Sequence, residues 1–178
     1  IVQHFNLAPD DANTLRRTYW QKYGTTLCGL MTEHNINPRH FLDYVHDVDI
    51  KHVEQCRRTR NAIEALDGRK IIYTNADDRH AERMLAHLGL ADLFDDVYDL
   101  TGLDYTPKPD PAPYHKVLSD LNVKGAQCAM FEDSSKNLKT AHDLGMTTIW
   151  ITEGEVAKPD FVHHKTHHVA TFLEGATK

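Results

Sequence analysis

The sequence is short of several things. No apolar run approaches the roughly 20 residues of a membrane-spanning helix. The chain opens Ile1-Val2-Gln3-His4, with no basic region, no long apolar stretch and no initiator methionine, so no secretory signal is read there. Cysteine is scarce: Cys28, Cys56 and Cys128 are an odd set, far apart and without metal-binding spacing. Such a set speaks against a disulfide framework and fits reduced thiols in a cytoplasm. Positive charge is not in excess either, with 20 Lys and Arg against 26 Asp and Glu and a net charge of −6. That balance speaks against a sequence-independent grip on a nucleic acid backbone. No internal repeat and no low-complexity linker is present.

What remains is an ordinary globular composition: 178 residues, 40% hydrophobic and 26% charged, about one domain's worth and enough to bury a core. Charge is spread along helical faces, as on a solvated surface. The first 67 residues read as helices only. Pro9-Asp10-Asp11 starts one, carried by Leu15, Tyr19 and Lys22 and stopped at Gly24. Asn37-Pro38 starts another, with Phe41, Leu42 and Val45 at helical spacing. A third is predicted from about Lys51 to Leu66, ending at Gly68.

From residue 68 the pattern changes to strands alternating with helices. Strands are predicted at 70–74, 96–100, 127–131 and 147–152, with a last one at 168–170; helices are predicted at 78–88, 111–121 and 135–144. Alternation of this kind implies a parallel sheet covered on both faces. In such sheets chemistry sits beyond the carboxyl ends of the strands, which directs attention to three segments.

Thr74-Asn75-Ala76 ends the first strand. A hydroxyl there, beside a helix N-terminus, suits a phosphate oxygen; the plainer reading is that Thr74 and Asn75 cap the next helix. Thr106-Pro107-Lys108-Pro109-Asp110-Pro111 holds one lysine between prolines of fixed φ. A point charge so presented suits a phosphoryl group or the carboxylate attacking it, against the alternative of a surface lysine in a proline-rich turn. Phe131-Glu132-Asp133-Ser134 places two acids after an apolar strand, with Asn137 four residues beyond Asp133. Two carboxylates at a buried sheet edge call for a cation, and Mg²⁺ takes hard oxygen ligands of this type. The alternative, an acidic helix start, accounts for Asp133 and Ser134 but not for Glu132.

Taken in order, Thr74, Lys108 and Glu132-Asp133 resemble the second, third and fourth motifs of the haloacid dehalogenase superfamily. The wording of Tyr73-Thr74-Asn75-Ala76 with His80-Ala81, of Lys108-Pro109-Asp110-Pro111, of Phe131-Glu132-Asp133-Ser134 through Asn137-Leu138, and of Tyr23-Gly24-Thr25-Thr26-Leu27-Cys28-Gly29-Leu30 resembles the pyrimidine 5′-nucleotidases within it. The resemblance implies an α/β fold with a Rossmann-like core over residues 68–178, a mostly parallel sheet, and an α-helical cap over residues 1–67. It implies a Mg²⁺-dependent phosphomonoesterase acting on a small phosphate ester, a nucleoside 5′-monophosphate and in particular a pyrimidine one, through an aspartyl-phosphate. Thr74 and Asn75 would bind the phosphoryl group, Lys108 would hold nucleophile and phosphate, Glu132 and Asp133 would hold Mg²⁺ with support from Asn137, and Tyr23, Thr25 and Thr26 would contact the leaving group. No partner of nucleic acid or membrane type is implied.

The family's first motif, Asp-x-Asp on the first strand, is expected ahead of the cap, on a short strand and loop upstream of Ile1. Asp47-Val48-Asp49 has the spacing but falls between predicted helices. Two other readings stand beside this one: a phosphatase for another small metabolite, and a non-catalytic protein of the same fold that binds a phosphorylated ligand. The 13 histidines, including His163, His164, His167 and His168, read as surface residues, and His34, His40, His46 and His52 follow no helical repeat. Tyr19 and Trp20 are expected in the cap's core, and Trp150 in a buried strand.

Overall fold

The structure, a computed structural model, describes residues 1–176; the last two residues of the predicted core range lie outside the described residues. Ahead of the first strand stand α1 (Val2–Phe5), α2 (Pro9–Tyr23), α3 (Thr26–His34), α4 (Pro38–His46) and α5 (Arg57–Glu64). Their starts are written locally. Pro9 opens α2 with Asp10 and Asp11 in its first turn, where the helix dipole favours negative charge. Thr25 caps α3 by accepting the Cys28 N–H at 3.1 Å. Asn37 caps α4 by accepting the His40 N–H at 3.2 Å, with Pro38 at the first helical position.

The α5 helix starts six residues later than the sequence predicts. Asp49 accepts the Lys51 N–H at 3.0 Å, and Val53 donates to the Ile50 carbonyl. These short-range bonds compete with a helical turn, and the Gln55 side chain straps the segment to the His87 carbonyl at 2.7 Å.

The sheet follows as β1 (Ile71–Tyr73), α6 (Asp78–Leu88), β2 (Asp96–Tyr98), α7 (Pro111–Asp120), β3 (Ala129–Glu132), α8 (Ser135–Asp143), β4 (Thr147–Ile151), β5 (His164–Thr166) and α9 (Val169–Ala176). The predicted last strand at 168–170 is displaced to His164–Thr166. His168 instead accepts the Ala170 N–H at 3.2 Å and opens α9, whose Ala170 and Leu173 are buried at i, i+3 spacing.

All pairings are parallel. β1 pairs β2 (Ile72 opposite Val97), β3 pairs β4 (Phe131 opposite Ile149), and β4 pairs β5 (Trp150 opposite Lys165). The strands form two groups, β1-β2 and β3-β4-β5. Among the described residues β1 and β3 each carry one unpaired edge, yet both belong to one assembly: Tyr73 of β1 and Met130 of β3 pack on the same buried cluster of Tyr114, Ala141 and Met146. This is the mixed α/β architecture expected of a Rossmann-like core.

Packing divides the N-terminal helices. Ala62 and Ile63 of α5 share a buried cluster with Ala170 and Leu173 of α9, so α5 packs with the sheet layer. Leu27 of α3 and Leu42 of α4 bury against Leu100 in the loop after β2, which docks the other helices over the carboxyl ends of β1 and β2. Among the described residues no helix is long and apolar enough to cross a membrane.

Candidate active site

The three segments singled out from the sequence meet at the carboxyl ends of β1 and β3. Thr74 leaves β1 with its N–H still bonded to the Tyr98 carbonyl at 2.9 Å. Its hydroxyl accepts the Ala76 N–H at 3.0 Å, so the hydroxyl hydrogen stays available for an acceptor. Neither Thr74 nor Asn75 caps α6: Asp77 does, taking the His80 N–H at 3.0 Å. Asn75 clamps the lysine loop, its Oδ1 accepting the Lys108 N–H at 2.8 Å and its Nδ2 donating to the Lys108 carbonyl at 3.1 Å.

Lys108 is only 7% exposed, against the plain surface-lysine reading. Its Nζ lies 2.9 Å from Glu132 Oε1, donates to the Tyr73 carbonyl at 2.7 Å, and stands 4.7 Å from the centre of the Tyr73 ring. One ammonium thus ties the end of β1 to the end of β3. Thr140 of α8 holds the same loop through the Pro109 carbonyl at 2.7 Å.

The acid pair divides into two roles. Glu132 is saturated: Oε1 faces Lys108 and the Asn137 amide, and Oε2 accepts the N–H groups of Asp133 (2.7 Å) and Ser134 (3.1 Å). Burial alone would push its pKa up, but the hydrogen bond shared with Asp133, the Lys108 charge and the Asn137 amide outweigh it and hold the carboxyl well below the ordinary range. Asp133 moves the other way, raised by its hydrogen bond to Glu132 and by burial. Behind the pair, Tyr114 donates to the Asn137 carbonyl at 2.9 Å and Trp150 to the Asp133 carbonyl at 2.8 Å. Trp150 is buried as predicted.

Thr74, Lys108, Glu132 and Asp133 line one cavity of about 660 Å³, with Asn75 and Asn137 beside them. The C-terminal end of α2 contributes Trp20, Gln21 and Lys22 to its wall, with Gly24 just beyond the helix. Of the three leaving-group candidates, none borders this space. The Tyr23 hydroxyl bonds to Glu33; Thr25 and Thr26 line a second, larger cavity of about 1200 Å³ among the N-terminal helices, which reaches Asn75. Trp20 is a correction to the sequence reading: Tyr19 is buried, but Trp20 is 47% exposed. Adjacent residues on a helix lie about 100° apart, so one narrow core face takes one of them. Trp20 and Lys136, which lines the same cavity, carry no sequence signal that separates them from ordinary helical residues.

The other candidates lie elsewhere. Asp47 terminates α4, and Asp49 caps the following turn; neither lines the cavity of Thr74 and Lys108. His163 bonds through Nδ1 to Thr148, and His167 to the Thr152 carbonyl, both holding the sheet's far edge. Among the described residues no three His, Cys, Asp or Glu side chains converge as a cation site.

A family model for haloacid dehalogenase-like hydrolases matches residues 15–145, which includes all three segments. The chain belongs to this family. Curated relatives include a phosphoglycolate phosphatase of Rhodospirillum rubrum, 33% identical over 100 residues covering 55% of this chain and 40% of the relative. Phosphate metabolism protein 8 of Saccharomyces cerevisiae is 26% identical over 155 residues, 77% of this chain and 48% of that protein. The chain therefore spans about half the length of these relatives, or less. Among haloacid dehalogenase-like structures, a phosphatase from Thermococcus onnurineus superposes with a TM-score of 0.65 at 16% identity, over 98% of this chain and 84% of that one. A dehalogenase superposes at 0.64 with 19% identity, over 90% and 73%. At these identities the likeness is one of fold, and it agrees with the parallel sheet and N-terminal helices described above.

Proposed function

We propose that this chain forms the cap and most of the catalytic core of a Mg²⁺-dependent phosphomonoesterase whose substrates are nucleoside 5′-monophosphates, pyrimidine ones foremost. The observation that carries the reading is the meeting of Thr74, Lys108, Glu132 and Asp133 around one polar cavity at the strands' carboxyl ends. The phosphatase names of relatives support the reaction class, including a fructose-1-phosphate phosphatase of Escherichia coli, 29% identical over half of this chain and 48% of that protein. Those names also favour a second reading, a phosphatase for a sugar phosphate or phosphoglycolate. The nucleotide preference rests on the motif wording around Tyr73 to Ala76 and Tyr23 to Leu30.

In this reading Thr74 donates its free hydroxyl hydrogen to a phosphoryl oxygen. Lys108, held by Glu132 and the Tyr73 carbonyl, presents fixed positive charge where negative charge develops. Asn75 keeps the two loops in register through its paired bonds to the Lys108 backbone. Asp133 suits Mg²⁺, being the acid of the pair not saturated by donors; Glu132 acts by holding Lys108 and the turn at Asp133. Mg²⁺ when bound offsets the charge of the transferring phosphoryl group. The nucleophilic aspartate belongs on a strand seated between the unpaired edges of β1 and β3.

The test is phosphate release by the full reading frame from CMP, UMP, AMP, GMP, phosphoglycolate and fructose 1-phosphate, with and without Mg²⁺, beside the 178-residue chain. Mg²⁺-dependent release favouring CMP or UMP is expected. Preference for phosphoglycolate or fructose 1-phosphate would overturn the nucleotide assignment and leave the phosphatase. No release from any of the six would overturn the enzyme reading.

A further inference from the structure

Trp20 stands out among the large side chains of the helical layer because it is half-exposed yet faces inward, onto the cavity of Thr74, Lys108 and Asp133. Its direction is imposed by its neighbour. Tyr19 is wedged against Gly29 of α3, where an added Cβ would come within 2.5 Å of the Tyr19 side chain, and its hydroxyl is 2.7 Å from His34 Nε2. With Tyr19 pinned towards α3, the next residue must leave the helix about 100° further round, over the carboxyl ends of β1 and β3. There the Lys136 ammonium, from the first turn of α8, sits 4.7 Å from the centre of the Trp20 ring. Lys136 forms no ion pair among the described residues, so the indole face is its neighbour of note.

We propose that Trp20 is a specificity-determining residue: its indole is a stacking platform for a planar ring in the leaving group, and Lys136 positions that indole through a cation–π contact. This rests on the phosphoester reading of the cavity and deepens it, because it names the part of the substrate that the cap recognises. Three facts favour a platform over a piece of core. A tryptophan left half in solvent forgoes much of the burial that such a side chain offers. It shares a wall with the phosphate-facing groups. Tyr23, Thr25 and Thr26, the other polar candidates from the same stretch, point away from that space. A flat aromatic ring binds any π-face and discriminates against a leaving group that has none.

The experiment is equilibrium binding to the full reading frame, read by quenching of intrinsic tryptophan fluorescence in the absence of Mg²⁺, with CMP and with ribose 5-phosphate. Wild type, Trp20→Leu and Trp20→Phe are compared, with direct calorimetric titration where the variants lack the signal. The ratio of the two dissociation constants is the readout. One base–aromatic stack corresponds to about 5- to 150-fold in affinity, so Trp20→Leu should reduce the preference for CMP over ribose 5-phosphate by a factor in that range, and Trp20→Phe should restore most of it. Equal weakening of both ligands would show a merely structural contact, and an unchanged ratio would show no stacking; either overturns the proposal. Since binding is read without turnover, absence of phosphate release would sink the enzyme reading and leave this result standing on its own.

Discussion

Replacing Glu132 by glutamine keeps the shape of the side chain and removes the charge opposite Lys108. Both residues are more than nine-tenths buried, so little water is at hand to compensate. In the wild-type chain the two carboxylate oxygens receive four donors: Lys108 Nζ and Asn137 Nδ2 on one, and the Asp133 and Ser134 N–H groups on the other. Glutamine turns one oxygen into an NH₂ group. Whichever way the amide is rotated, two donors then face a donor. Breaking one side of a buried ion pair costs about 3–5 kcal/mol. For a chain of this size, that lowers the melting temperature by roughly 6–20 °C, at about 2–4 °C per kcal/mol.

The converse substitution, Lys108→Met, removes two charge-assisted hydrogen bonds, one to Glu132 and one to the Tyr73 carbonyl. Glu132 keeps the Asn137 amide and two backbone N–H groups, and the two lost bonds are worth about 1.5–3 kcal/mol each, so the two substitutions should destabilise to a similar extent. Thermal unfolding followed by circular dichroism at pH 7 without added metal measures both. A wild-type melting temperature for Glu132→Gln would refute the reasoning, since Lys108 would then not depend on Glu132 for its charge balance.

Leu138 is fully buried in a cluster with Trp150 and Val162, so Leu138→Ala should cost about 2–5 kcal/mol in a urea unfolding series. Gly125→Ala should destabilise strongly, because a Cβ there would lie 1.8 Å from the Leu144 carbonyl oxygen, a backbone atom that cannot swing aside; a wild-type melting temperature would contradict this. His80 is held below its ordinary value of 6.5 by burial, then by the positive charges of His46 and Arg83, with Asp77 opposing. The folded state therefore binds fewer protons than the unfolded one in the window just below 6.5, so stability should fall as pH drops through that window. Urea midpoints at pH 7.5 and 5.5 should converge for His80→Gln, and an unchanged difference would show that His80 does not set it.

Much of this molecule was legible residue by residue. Asn37-Pro38, Asp77 and Asp110 open α4, α6 and α7 through side-chain caps that are local chemistry, and Gly24 and Gly89 sit at the ends of α2 and α6. Short β-branched runs mark β1 and β4 in the same way. Where the sequence reading slipped, a bond between distant segments was at work. The start of α5 is delayed by a turn strapped to the His87 carbonyl, and the final strand sits earlier because Ile149 and Ile151 take His164 and Thr166 as partners. Such contacts leave no mark in a local pattern.

The site divides along the same line. Residue order alone placed a hydroxyl, a lysine and an acid pair at successive strand ends, because the turn from strand to helix is a local event and a parallel sheet brings those turns to one edge. Which acid is saturated and which remains open, and which of Tyr19 and Trp20 faces the cavity, depended on contacts that the fold brings together, such as Lys108 on Glu132 and Gly29 against Tyr19. Burial and hydrogen-bond saturation belong to the assembled chain. Only the tertiary structure could decide them.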